Sequence, residues 1–154
     1  MREILFRGKR LDNGEWIEGF YCKHNTVKVC LTSDDPKPKH LIIVDGFCDW
    51  GFEPPLQGIE VDPATVGQFT GLMDKNGKQI FEGDIVICRQ EIEGNHVRVC
   101  VEIGFIEMKF GAFGLHRKQG YYRPFKDWLE DYEYEVIGNI HDNPELVKGG
   151  ESDG

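Results

Sequence analysis

Val66-Gly67-Gln68-Phe69-Thr70-Gly71-Leu72-Met73-Asp74-Lys75-Asn76-Gly77-Lys78-Gln79-Ile80-Phe81-Glu82-Gly83-Asp84-Ile85-Val86 reads as strand, tight turn, strand, second turn, strand. Asn76-Gly77 lies between two short runs that hold apolar residues. Asn-Gly is the favoured centre of a two-residue hairpin turn, because both positions take positive φ. Asp74 is placed to bond the backbone two residues on and start the turn. Glu82-Gly83-Asp84 makes a second reversal, and Ile85-Val86-Ile87-Cys88 follows as a strand bounded by Arg89 and Gln90. A Gly-Asp before a strand recurs in small barrels of SH3-like layout, an analogy at the level of fold. Asp74, Asn76 and Gly77 match a fragment of a calcium loop, but the further ligands and the closing helical Glu are missing. Glu82 and Asp84, two apart around a glycine, fit a solvated turn better than a general acid–base pair.

The flanking segments carry the same strand-and-turn punctuation. Residues 2–10 and 15–24 enclose Asp12-Asn13-Gly14 and form a first hairpin. Residues 27–32 read as a third strand, and the prolines at 36 and 38 mark a loop. Residues 41–44 and 59–61 are short strands. Between them, Phe47, Trp50 and Phe52 stand among glycines and prolines, where covering a core is the commoner use of aromatic rings. Asp62-Pro63 opens a helical turn with Asp62 as its cap, and Gly67 ends it. Val97, Val99, Val101 and Ile103 alternate with polar residues as a half-buried strand, with a bulge expected at Gly104. Residues 111–115 form a glycine-rich connection without the Lys-Ser/Thr of a phosphate loop. Phe125, Trp128, Leu129 and Tyr132 fall at helical spacing behind Pro124 and predict a short helix over 124–132. Residues 136–140 are the last strand.

The run from Gly67 to Val86 resembles the signature of the YopX-domain family of small phage and prophage proteins. Three further stretches extend the resemblance: residues 1–10 with Asn13-Gly14-Glu15-Trp16-Ile17-Glu18-Gly19, Val61-Asp62-Pro63-Ala64-Thr65-Val66-Gly67, and Val136-Ile137-Gly138-Asn139-Ile140-His141-Asp142-Asn143-Pro144-Glu145-Leu146. Residues 24–57 and 89–130 match least. The resemblance implies a β-rich fold and a phage or prophage setting. It brings no established activity and no catalytic residues. The expected fold is mainly β: short antiparallel strands in an SH3-like barrel or two small β-subdomains, with one or two short helices. The expected organisation is one domain over 1–148, with two subdomains (about 1–62 and 63–148) as the open alternative. A tail follows at 149–154.

The 154 residues suffice for one core or two small ones. Nineteen glycines are well above average usage and suit many tight turns. The net charge of −9 opposes general binding to phosphate backbones. An acidic mimic of DNA is a further reading, but the acidic excess is spread along the chain. Cys22, Cys30, Cys48, Cys88 and Cys100 form no Cys-x-x-Cys pair, Met1 opens a polar segment, and no long apolar run is present. Free thiols in the cytoplasm of a bacterial host are therefore expected, with no membrane span. Cys22 and His24 match no zinc spacing, and neither metal nor cofactor is expected.

One segment stands out for chemistry. Over residues 115–126, Arg117, Lys118, Arg123 and Lys126 interleave with His116, Tyr121, Tyr122 and Phe125, without an acidic residue. Basic groups among aromatics are the footprint of single-strand nucleic-acid binders. Asp127, Glu130, Asp131, Glu133 and Glu135 follow at once and neutralise the segment, so a solvated loop is the plainer reading. Arg117, Lys118, Tyr121, Tyr122 and Arg123 are the candidate partner-binding residues. No nucleophile–base set can be assembled: only Ser33 and Ser152 are serines, and His96 and Cys100 are about 13 Å apart along one strand. The expected function is therefore a non-enzymatic accessory protein that binds an unidentified host or phage protein, and it also self-associates. The alternative is a nucleic-acid-directed protein, acting through residues 115–126 or as an acidic mimic.

Overall fold

The computed structural model describes residues 3–25, 37–47, 53–92, 98–117, 120–125 and 132–148. Among these the chain is mainly β: antiparallel strands with short 3₁₀ turns that include Pro63–Thr65 and Pro144–Leu146, and no α-helix. It divides into two compact units, Met1–Gln68 and Phe69–Gly154. The readings at residues 27–32, at Trp50 and Phe52, over 126–131 and at the tail lie outside the described residues.

In the first unit, β1 (Phe6–Lys9), β2 (Trp16–His24), β3 (Lys39–Asp45) and β4 (Leu56–Glu60) lie in the order β4-β3-β2-β1. Strand alternation puts Phe6, Tyr21, Ile42 and Ile59 on one face. Ile42 and Val61 are fully buried, and the Phe6 and Tyr21 rings lie 5.5 Å apart. The first hairpin turns through four residues: Arg10 N donates to Glu15 O at 2.9 Å, Gly14 N to Arg10 O at 3.0 Å, and Gly14 takes φ +73°. Asp62 caps its turn as expected, with Oδ1 accepting from Ala64 N at 2.9 Å.

The described strands form two antiparallel sheets and no closed barrel, so the SH3-like layout is not seen among them. Val61 N donates to His40 O and Val61 also bridges Arg10, so the sheet curls at that end. The start of the next strand, β5 (Gly67–Met73), then occupies the free side of β1 at Arg7 and Phe6. β1 therefore meets β4 only at this end, through Leu11 N to Glu60 O and Asp62 N to Lys9 O, and among the described residues the sheet does not close along the rest of β4.

In the second unit, the rest of β5 pairs with β6 (Gln79–Phe81). A five-stranded sheet follows, built from β7 (Asp84–Ile92), β8 (Arg98–Lys109), β9 (Ala112–Arg117), β10 (Tyr122–Pro124) and β11 (Glu133–Asn139), in the order β10-β9-β8-β7-β11. Val86, Cys88, Ile106, Leu115 and Tyr134 share one face and pack with Ile80 and Phe125 as the core. Pro124 ends β10 and a 3₁₀ position follows at Phe125, while the rest of the expected helix lies outside the described residues.

Three turn readings change. Asn76 does not take positive φ; Gly77 alone does, at +79°. Gly77 N donates to Asp74 O at 3.0 Å and Asp74 N to Lys78 O at 2.7 Å, which makes a three-residue loop with the glycine in the left-handed position. The two-residue turn with both φ positive lies instead at Phe110 (+53°) and Gly111 (+78°), between the paired Lys109 and Ala112. The glycine-rich connection is thus the start of β9. Gly104 is no bulge: β8 runs through it in register with both neighbours. A Cβ there would lie 2.4 Å from His116 O, so close approach of backbone explains this glycine.

Candidate functional site

The segment 115–126 is a β-hairpin rather than a loop over its described part. Arg117 N donates to Tyr121 O at 2.8 Å, and Gly120, at φ +86°, closes the turn. Alternation then splits the candidate residues between two faces. Arg123 stands opposite Leu115 and Arg117 opposite Gly104, on the core face. Tyr122 stands opposite His116 on the other face, and Tyr121 is exposed in the turn. Lys118 and Lys126 lie outside the described residues.

The two arginines are committed to neighbours. Arg117 Nη2 lies 2.6 Å from Glu102 Oε2, in a pair whose facing atoms are buried. Their angles miss hydrogen-bond geometry, so the attraction is coulombic. Arg123 Nη1 donates to the Tyr132 hydroxyl at 3.0 Å. Both arginines and Glu102 act on the Cys88 thiol, which is pushed up to about 11, chiefly by burial and next by Glu102. Burial likewise raises the Tyr134 phenol above its ordinary range. A thiol held protonated is a poor nucleophile. In the native protein Cys88 is therefore expected to stay unmodified by a thiol reagent that labels the exposed Cys22. Peptide mapping after brief labelling checks this, and equal labelling of both would contradict the burial of Cys88.

The acidic residues of the signature are used by the backbone. Asp74 Oδ1 accepts from Asn76 N (2.8 Å) and Lys78 N (2.9 Å), and its Oδ2 from Val136 N (3.1 Å). Lys75 N also donates to Tyr134 O at 2.9 Å. The turn therefore covers the outer edge of β11, and both carboxylate oxygens of Asp74 are engaged by backbone donors. Asp84 is 1% exposed and accepts from Phe81 N at 2.8 Å across the Gly83 turn. Glu82 reaches toward Met108 N instead, so the two carboxylates do not converge. Among the described residues, no group of three or more His, Cys, Asp or Glu could hold a metal ion.

The chain belongs to the YopX protein family. The family model matches residues 5–148, nearly the whole chain. No curated protein matches it. In this YopX-family chain the signature is a structural device: a loop, a buried Asp74 and a buried Asp84 that lock one hairpin to the sheet.

Phe47, Leu56, Tyr121 and Phe110 are among the exposed apolar side chains, and Phe110 stands in the β8–β9 turn. Phe110 is 89% exposed and is the one non-glycine residue among those described with positive φ. Left-handed backbone costs a residue with a Cβ about 1–2 kcal/mol. Tyr122 holds the turn from below, its single hydroxyl proton shared between Ala112 O at 2.6 Å and Lys109 O at 3.1 Å. The Phe110 and Tyr122 rings meet edge to face at 6.2 Å, and Lys109 Nζ lies 5.6 Å and 5.9 Å from their centres. The sequence signal was present, a phenylalanine before Gly111, but it reads as an apolar strand residue until the register is known. Among the described residues no helix is long and apolar enough to cross a membrane.

Proposed function

We propose that this YopX-family chain is a phage-associated accessory protein that works by binding another protein, with the β8–β9 hairpin as its anchor. The observation that carries this reading is Phe110, an exposed aromatic side chain held in a strained backbone conformation. Strain that persists at an exposed apolar side chain points to selection for contact. Aromatic anchors dominate protein interfaces because they bury large rigid area at low entropic cost. Met108 and Lys109 widen the contact, and Tyr122 fixes its angle. The nucleic-acid alternative is weaker, because Arg117 and Arg123 are committed to Glu102 and Tyr132.

Phe110→Asn separates binding from folding. Asn-Gly is the preferred pair for this turn, and the exposed ring contributes little burial. The variant is expected to gain about 0.5–1 kcal/mol of stability. It is also expected to lose capture of the partner from cells that carry the phage. Thermal melting and crosslinking through a photoreactive side chain at position 110 read the two effects. Equal capture by parent and variant would overturn the assignment, and a salt-dependent gel shift with single-stranded DNA or RNA would favour the alternative.

A further inference from the structure

The open edge of β4 presents its backbone in a pattern that only needs a copy of itself. Pro55 O accepts from Gly46 N at 2.7 Å and Val61 N donates to His40 O at 2.9 Å, so residues 55, 57, 59 and 61 turn their backbone groups toward β3. Residues 56, 58 and 60 therefore turn theirs outward. Glu60 O confirms the parity by accepting from Leu11 N at 3.1 Å on the outer side. That contact ends the usable edge at one side, and the Pro54-Pro55 pair ends it at the other. Among the described residues, Leu56 and Gly58 are left with outward N–H and C=O groups that no strand pairs. A groove of about 370 Å³, lined by Leu11, Asp12, Gly58, Ile59 and Glu60, runs beside them.

The side chains repeat the pattern. Register rows on the outer face of this sheet read Phe20–Ile43–Gly58 and Asp45–Leu56. Leu56 is 75% exposed and Phe20 is 58% exposed. Gly58 leaves the edge of its row empty, and the Leu41 and Ile43 side chains lean over it, within 3.3 and 3.4 Å of where a Cβ would stand.

We infer that two copies of this chain pair antiparallel through β4, about a twofold axis at Gln57. Leu56 then faces Gly58 of the partner subunit, and the axis repeats the pair. Four backbone hydrogen bonds form, Leu56 N–H to the Gly58 carbonyl and the reverse, twice over. Each Leu56 lies beside the partner's Gly58 and extends the partner's apolar row. No like charges face one another across the axis. The edge is too short to add a third chain, so the contact closes as a dimer.

The test is sedimentation of the full chain from micromolar to sub-millimolar concentration, together with crosslinking. The expected result is a concentration-dependent rise toward twice the 17.7 kDa of one chain. Leu56→Asp should shift that midpoint at least tenfold upward with an unchanged circular dichroism spectrum. Gln57→Cys is read against an Asn13→Cys control on the exposed β1–β2 turn. Facing positions on paired strands of this kind bring Cα atoms to about 4.5 Å, within disulfide reach. Gln57→Cys should therefore form a covalent dimer on mild oxidation well beyond the parent and the control. A monomer throughout the range overturns the inference. So does a dimer that tolerates Leu56→Asp and fails to crosslink at 57, which would place the contact elsewhere.

Discussion

Asp74→Ala is expected to lower stability by about 3 kcal/mol, one of the two largest effects among these predictions. The carboxylate is buried and accepts from three backbone N–H groups, two in its own turn and one, Val136 N, across on β11. Removing it strands donors that burial keeps from water, at about 1–3 kcal/mol each where water cannot replace the acceptor. Asn76 and Lys78 are exposed and recover part of the loss, while Val136 recovers least. In a chain of this size the change corresponds to a fall in Tm of roughly 6–12 °C. A change within a degree or two would show that the turn does not hold the edge of β11. Burial alone would raise the Asp74 pKa, but the backbone donors from Lys78, Val136 and Asn76 outweigh it and hold it below the ordinary value. The stabilisation is thus fully present above the unfolded carboxylate's pKa, about 3.9. It is lost as pH falls from there through the lower folded value. Asp74→Asn should remove that share of the acid-induced loss, which chemical denaturation at a series of pH values measures.

Gly104→Ala is the second. Its Cβ would stand 2.4 Å from His116 O and 2.9 Å from Leu115 Cδ1. Backbone cannot yield as a flexible side chain does, so β8 and β9 must separate at the centre of the sheet. Overpacking of this kind costs about 1–3 kcal/mol, and the central position puts this site at the upper end. Gly77 supplies the contrast: nothing lies within 4 Å of a Cβ there, and only its φ of +79° resists substitution. Denaturant melts should therefore rank Gly104→Ala below the parent by a shift in midpoint. An unchanged midpoint would mean that the strands are not in the register described.

The mainly-β class was legible because strand alternation is a local signal. Asp62-Pro63 and Ile85-Val86-Ile87-Cys88 were legible for a related reason: cap chemistry and a short apolar run bounded by polar residues act within a few residues. Turn types were less legible. Asn76-Gly77 has the composition of a two-residue turn, yet Asp74 bonds the backbone at Asn76, Lys78 and Val136 and fixes a longer loop. Phe110-Gly111 has poorer composition and adopts the two-residue form, because paired Lys109 and Ala112 leave the chain no third residue. Phe47 was expected to cover core and stands exposed, since sequence shows an aromatic side chain but not what lies above it.

By itself the sequence determined most of the strands, most of the glycine and proline punctuation, the acidic balance and the family. Tertiary structure alone decided which residues meet. It divided one basic-aromatic segment between two faces of a hairpin, paired Arg117 with Glu102 and Arg123 with Tyr132, and left Phe110 exposed. It also decided that β1 is met by Gly67 and Gln68, so that among the described residues most of the β4 edge stays open. Local propensities specify a strand; the side each residue faces, and the partner it finds there, depend on register. Register is set by contacts between segments far apart in the chain.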